Sequence, residues 1–178
     1  MSTEQTTKTP RVVIITGISG AGRRTAAHAV EDLGWYVVDN LPPAMLGALV
    51  DEIAANNIDR LAVVLDVRSR IMFDALGVAV NALDERGIDP AIVFLEASDE
   101  TIVRRQESSR RPLPLQQGGH LLDAVALERR MLSDLRAEAD LVIDTTSITA
   151  RQLALRIDHA FAEGIDEGLA FQVMSFGF

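Results

Sequence analysis

Cysteine is absent from the 178 residues, which excludes a disulfide framework and any thiolate metal site. Lysine is almost absent as well: Lys8 is the only one, and every other positive side chain is arginine. Positive charge is in deficit, with a net charge of −9, so attraction to nucleic acid through overall charge is not expected. No apolar run approaches the ~20 residues that a membrane helix needs, so no membrane partner is expected. The segment Met1 to Thr9 is polar and lacks the apolar centre of a signal peptide, so residues 1–10 read as a frayed tail. The lack of cysteine suits a reducing cytosol, and a cytoplasmic location is the expectation.

What is present is globular in composition, 48% hydrophobic and 24% charged, and long enough for one domain with a real core. Short apolar runs alternate with helical patterns. Val12 to Thr16 is β-branched and reads as a strand buried on both faces. Trp35 to Asp39, Leu61 to Val67, Ala91 to Glu96 and Leu141 to Asp144 read as four more strands. Helices are expected from the turn after the first strand to Leu33, from Leu41–Pro42–Pro43 to about Ala55, and over Ser69 to Arg86. Others are expected after Ser98–Asp99–Glu100, over Leu121 to Glu138, and over Thr149 to Phe161. Such alternation predicts an α/β, P-loop NTPase-like three-layer fold, with a mostly parallel five-stranded sheet and helices on both faces. The domain is placed at residues 11–165. Ser108 to Gly119, with two prolines, two glycines and paired arginines, reads as a lid.

The functional signal lies at the carboxyl ends of the strands, where ligands of such sheets sit. Gly17–Ile18–Ser19–Gly20–Ala21–Gly22–Arg23–Arg24–Thr25 follows the first strand and opens a helix, the context that a P-loop requires. Its glycines permit backbone shapes that turn successive N–H groups toward phosphate oxygens, and the helix start adds roughly half a positive charge. Arg23 stands where the G-x-x-x-x-G-K-[ST] pattern has lysine, and Arg24 where it has the Mg²⁺-binding hydroxyl. Thr25 does not replace that hydroxyl, because one residue along a helix turns a side chain by about 100°. Phosphate binding is expected; efficient Mg²⁺-dependent catalysis is not.

Asp39 and Asp66 end two further strands. They are candidates to hold Mg²⁺ or to orient an attacking water, with Asp39 alternatively capping the turn before Pro42. Asp66 follows Leu61–Ala62–Val63–Val64–Leu65, the apolar-run-plus-acid form of a Walker B segment. Arg104, Arg105, Arg110 and Arg111 flank the lid and would suit phosphate oxygens on closure, or form a solvated basic face. His28, His120 and His159 show no metal-ligand spacing. Trp35 and Tyr36 read as residues packed in the sheet.

The strings GISGAGRRTAAHAVEDLGWYVVDNLPP, LDVRSR, FLEASDETIVRRQESSRRPLPL, ADLVIDTT and SFGF resemble the RapZ/YvcJ family of bacterial nucleotide-binding proteins. The likeness runs from Arg11 to Phe178. It implies binding of ATP and GTP with ATPase and GTPase activity. The ATP-binding stretch would be Gly17 to Arg24, and the GTP-associated stretch Asp66–Val67–Arg68–Ser69. Ala170 to Phe178 reads as a strand, and the resemblance implies that SFGF leads into a C-terminal domain, with residues 166–178 as the linker and first strand of that domain. In the family that domain binds a sugar-phosphate signal and, in some members, RNA and an RNase. The family's lid run R-R-x-H-P-L has Leu113 here in place of its histidine.

Three readings follow. The first is a nucleotide sensor that hydrolyses slowly at best and signals occupancy to a C-terminal effector domain. The second is a small-molecule kinase of the P-loop class. The third is a protein-interaction module with a decayed site. A homo-oligomer is left open by the composition.

Overall fold

The computed structural model describes residues 9–66, 70–109 and 119–165. Five strands form one sheet: β1 (Arg11–Gly17), β2 (Tyr36–Asp39), β3 (Arg60–Val64), β4 (Ala91–Glu96) and β5 (Leu141–Asp144). Their spatial order is β2-β3-β1-β4-β5 and every pair is parallel. The helices are α1 (Arg23–Asp32), α2 (Leu46–Ala55), α3 (Arg70–Asp84), α4 (Asp99–Ser109), α5 (Leu121–Met131), α6 (Ser133–Glu138) and α7 (Ala150–Ala162).

Hydropathy explains the order of the strands. Val13, Ile14 and Ile15 have no exposed surface although successive side chains point to opposite faces, so β1 is covered on both sides. Its neighbours β3 and β4 are almost as fully buried, whereas β2 and β5 at the edges are not. Each fully buried Ile, Leu or Val contributes about 1.5–3 kcal/mol by leaving water. The chain leaves β1 toward β2 and β3 on one side and reaches β4 on the other. That reversal puts a crevice at the carboxyl end of β1.

Gly17 marks the closest approach at that crevice. A Cβ there would lie 2.0 Å from the Leu95 carbonyl oxygen and 2.6 Å from the Leu95 nitrogen, and φ is +138°. Only glycine fits between the two central strands.

Several boundaries differ from those the sequence suggests. The helix expected over Leu121 to Glu138 is two helices joined at Leu132. At this junction Ser133 Oγ donates to the Arg130 carbonyl at 2.9 Å. The helix expected from Leu41 begins as a single 3₁₀ turn, Pro43–Met45, and becomes α-helical only at Leu46. Trp35 is buried, edge-to-face with Phe161 at 5.1 Å, but it precedes β2. Tyr36 is half exposed because β2 is an edge strand, so it does not pack in the sheet as expected. Residues 1–8 of the expected tail, the end of the third strand at Val67, and the strand over residues 170–178 lie outside the described residues, while Pro10, counted with the tail, is buried.

The crowding at Gly17 sets a test against an open helical glycine. Gly17→Ala is expected to cost about 4 kcal/mol or more, because backbone on a central strand must move. Gly47→Ala in α2, where nothing lies within 4 Å, is expected to raise stability by up to about 1 kcal/mol. Urea unfolding of both variants checks the contrast.

Candidate functional site

The turn from Gly17 to Gly22 lies in the crevice and is anchored to three parts of the core. The Ile18 amide donates to the Leu95 carbonyl at 2.9 Å, which continues the β1–β4 ladder into the turn. The Ala21 amide then folds back to the Ile18 carbonyl at 3.0 Å. Gly20 and Gly22 have φ of +82° and +106°, a left-handed shape that glycine adopts without strain. Gly22 is the N-cap of α1, and the first intrahelical bond runs from the Ala26 amide to its carbonyl. The amides of Arg23, Arg24 and Thr25 therefore have no intrahelical acceptor.

This helix start lacks the usual stabilising features. No side chain caps it, no acid stands in its first turn, and its first two residues are arginines facing the positive end of the dipole. An anion would satisfy the amides and relieve the repulsion together.

Arg23 does not reach over the turn. Its Nη1 donates to Asp66 Oδ1 at 3.1 Å and to the Leu65 carbonyl at 3.2 Å, in an ion pair whose side chains are 17% and 13% exposed. The residue in the lysine position thus ties α1 to the end of β3. Arg24 is exposed, and with Arg23, Asp39, Asn40 and Asp66 it lines a polar cavity of about 340 Å³. Asp39 is exposed at the rim of this cavity, and no side chain caps the 3₁₀ turn that follows it.

P-loop folds commonly hold Mg²⁺ beside this turn, but the residues present do not fit it. Asp66 is engaged by a guanidinium, and the position of the usual hydroxyl ligand is Arg24. No group of three or more His, Cys, Asp or Glu residues is placed to hold a metal ion among the described residues.

Thr25 faces the other way. Together with Gly20, Gly22, Arg105, Thr145 and Leu153 it lines a second cavity of about 270 Å³. The 100° step between neighbouring helical residues separates the two: Arg23 and Arg24 face one cavity, and Thr25 the other.

Arg105 was expected to act in a lid, yet the structure makes it a brace. Its Nη1 donates to the Gly20 carbonyl and to Thr145 Oγ1, both at 3.0 Å, and its Nη2 to the Thr145 carbonyl at 2.7 Å. Burial, and after it repulsion from Arg104, lowers its pKa, while Asp144 acts in the opposite sense. Thr145 Oγ1 in turn donates to the Ala21 carbonyl at 2.7 Å. Asp144 accepts from the Thr146 amide and hydroxyl, which shapes the loop that walls the second cavity. Arg104 is exposed, and its Nη2 donates to Thr101 Oγ1 at 3.5 Å. Arg110 and Arg111 of the expected lid, and Val67, Arg68 and Ser69 of the GTP-associated stretch, lie outside the described residues.

Sequence reasoning missed Glu128 altogether. This α5 residue is 4% exposed, and its Oε1 accepts from the Ser19 amide at 3.0 Å and the Ser19 hydroxyl at 2.7 Å. Burial raises its pKa; the two Ser19 hydrogen bonds and Arg23 oppose that shift, and Asp66 adds to it. The signal available was a charged residue at a position of α5 facing inward beside Ala124 and Val125.

Residues 11–164 match the family described as RapZ-like N-terminal domain. The chain belongs to that family. A nucleotide-binding protein of Cutibacterium acnes is 99% identical over all 178 residues, which cover 61% of its length. A nucleotide-binding protein of Streptomyces coelicolor is 52% identical over 171 residues, 95% of this chain and 57% of that one. The chain thus spans about three fifths of the length of these relatives. Among solved structures, shikimate kinase from Acinetobacter baumannii aligns with a TM-score of 0.60 at 18% identity, over 88% of this chain and 95% of that one. A gluconokinase from Sinorhizobium meliloti aligns at 0.58 and 15%, over 90% and 96%. At such identities the likeness is one of fold, and it places this RapZ-like domain in the P-loop α/β class.

The buried acid gives the domain a pH signature. Folding raises the Glu128 pKa, so the folded state favours its neutral form. The resulting stability is fully present below the ordinary value of 4.5 and declines as pH rises toward the raised value. Glu128→Gln, which does not titrate, is expected to gain stability relative to the native chain as pH increases over that window. Urea midpoints measured from pH 4 upward check this, and parallel pH profiles would refute it.

Proposed function

We propose that the domain binds a purine nucleotide, ATP or GTP, with its phosphates on the main-chain amides of Arg23, Arg24 and Thr25 at the start of α1. The base end would occupy the cavity between Thr25, Arg105 and Thr145. The observation that carries this reading is the start of α1: uncapped, without acid, opened by two arginines, and flanked by a cavity on each side. The descriptions of the relatives as nucleotide-binding proteins agree with it.

Hydrolysis is slow at best in this reading. The lysine position is filled by an arginine paired with Asp66, and the donors for a Mg²⁺ ion are not assembled. Such a domain serves as a cytoplasmic sensor whose occupancy is relayed to the part of the longer relatives that this chain does not span. Any RNA, RNase or sugar-phosphate partner would be met there, and assembly with like chains would give the relay a second route. Among the described residues no helix is long and apolar enough to cross a membrane.

One observation favours a second reading, a small-molecule kinase. The polar cavity holding Asp39 beside Arg23 and Arg24 has room for a phosphoryl acceptor. Phosphate found on an added hydroxylated metabolite would favour it; phosphate released only to water would favour the sensor.

Calorimetric titration with ATP and GTP tests the leading reading, and absence of binding at millimolar nucleotide would overturn it. Gly22→Ala places a Cβ at φ +106°, 3.0 Å from Leu153, and is expected to weaken binding at least tenfold while the chain still folds. The double variant Arg23→Lys, Arg24→Ser is expected to hydrolyse nucleotide faster in the presence of Mg²⁺, as measured by phosphate release. An unchanged or lower rate would refute the account of the two arginines.

A further inference from the structure

A third cavity, of about 190 Å³, lies at the other end of the sheet. It is walled by Arg11 and Arg60, the first residues of β1 and β3, by Leu33 and Trp35, and by Asp158 and Phe161 of α7. The seven residues of β1 hold it roughly 20 Å from the phosphate turn, so it is no part of the nucleotide site. Its volume is below the roughly 300–1,000 Å³ of a pocket for a drug-sized ligand, so an occupant is small.

Strand register creates the charge of this cavity. Arg11 and Arg60 are direct partners across the parallel β1–β3 pair, and partners in a sheet project to one face. Strands about 4.8 Å apart thus bring together two like charges, an unfavourable arrangement that a bound anion would relieve. Both residues are half-buried. Arg11 lies over the Trp35 ring, 5.7 Å from its centroid, and this attraction fixes it on the aromatic wall. Arg60 is held loosely: its Nη1 donates to the Leu33 carbonyl at 3.5 Å, and its Nε lies 4.0 Å from Asp59. Both contacts are long, and a guanidinium has five donors, so Arg60 retains some for a ligand.

The remaining walls narrow the chemistry of that ligand. Asp158 is exposed at the rim and has no hydrogen-bond or ion-pair partner among the described residues. Trp35 is buried edge-to-face with Phe161, beside Leu33, and these form an apolar wall. A simple anion would suit the arginines but be repelled by Asp158. A plain hydrocarbon would leave both polar walls unmatched.

We propose that this cavity binds a free α-amino acid with a small apolar side chain, of the size of leucine, valine or methionine. Its carboxylate pairs with Arg60 beside Arg11, its ammonium with Asp158, and its side chain packs on Leu33, Trp35 and Phe161. Arginine suits the first role because its planar fork matches a carboxylate. The site stands apart from the nucleotide reading and does not depend on it.

Trp35 is the only tryptophan, so its fluorescence reports on this cavity. The test titrates the 178-residue chain, without nucleotide, with L-leucine, L-valine and L-methionine, followed by fluorescence and by calorimetry. At least one is expected to bind saturably, with a dissociation constant of about 1 mM or below. The matching amide, which lacks the carboxylate, and the matching acid without its amino group should each bind about tenfold more weakly. Arg60→Gln should weaken the amino acid by a similar factor. Asp158→Asn should weaken the amino acid but not the acid without its amino group. Absence of binding by all three amino acids at tens of millimolar would overturn the proposal. So would analogues that bind as tightly as the amino acid, a comparison made on the native chain alone and therefore valid even where a variant fails to fold. Native affinity in both variants, with circular dichroism showing them folded, is equally fatal, as is calorimetric binding that leaves Trp35 fluorescence unchanged. Nucleotide is absent throughout, so none of these results bears on the nucleotide reading.

Discussion

The amide of Ile18 meets the carbonyl of Leu95 at 2.9 Å, one residue beyond a glycine that leaves no room for a side chain. This contact continues the β1–β4 ladder past the end of the strand and fixes where the turn begins. Thr145 and Arg105 then hold the Ala21 and Gly20 carbonyls, and Glu128 holds Ser19. The carbonyls thus face the core, while the helix-start amides are left for a ligand. The cradle is rigid because its scaffold is hydrogen-bonded elsewhere, which is the preorganisation that anion binding requires.

The same turn carries a conflict of charge. Two arginines open a helix at its positive end, and one is drawn aside by Asp66. Pairing at moderate exposure gives only modest stability, because both charges lose part of their hydration. Its larger effect is steric and electrostatic. The pair fixes the guanidinium away from the place where a flexible lysine would follow a phosphate, and it occupies the acid that would otherwise be available to a metal. The glycines of the turn are kept, while the two positions that the P-loop pattern gives to lysine and hydroxyl are arginines.

Much of this was legible in the sequence. Continuous apolar runs identified the buried parallel strands, and the glycine spacing after Val12–Thr16 located the cradle, because both depend on local pattern. The inference that Thr25 cannot stand in for its neighbour also rested on helical geometry alone, and the two cavities agree with it. What escaped was long-range. Glu128 sits in an arginine-rich helix segment that reads as a solvated face, and nothing local reveals that its partner is Ser19. Arg105 resembles any lid arginine until the loop after β5 is seen beside it. The break at Leu132 escaped because no proline or glycine between Leu121 and Glu138 marks it.

The hydrogen bond from Thr145 to Ala21 spans 124 positions, and those from Glu128 to Ser19 span 109. Contacts this distant in the chain close large loops, and folds dominated by them acquire their structure slowly. As the polypeptide emerges from the ribosome, the glycine segment appears near the start but lacks its full set of supports until β5 and its following loop have been made. The ligand-binding element is therefore among the first parts synthesised and among the last to take shape. A nascent chain stopped before that loop would carry the sequence motif without the geometry that gives it meaning.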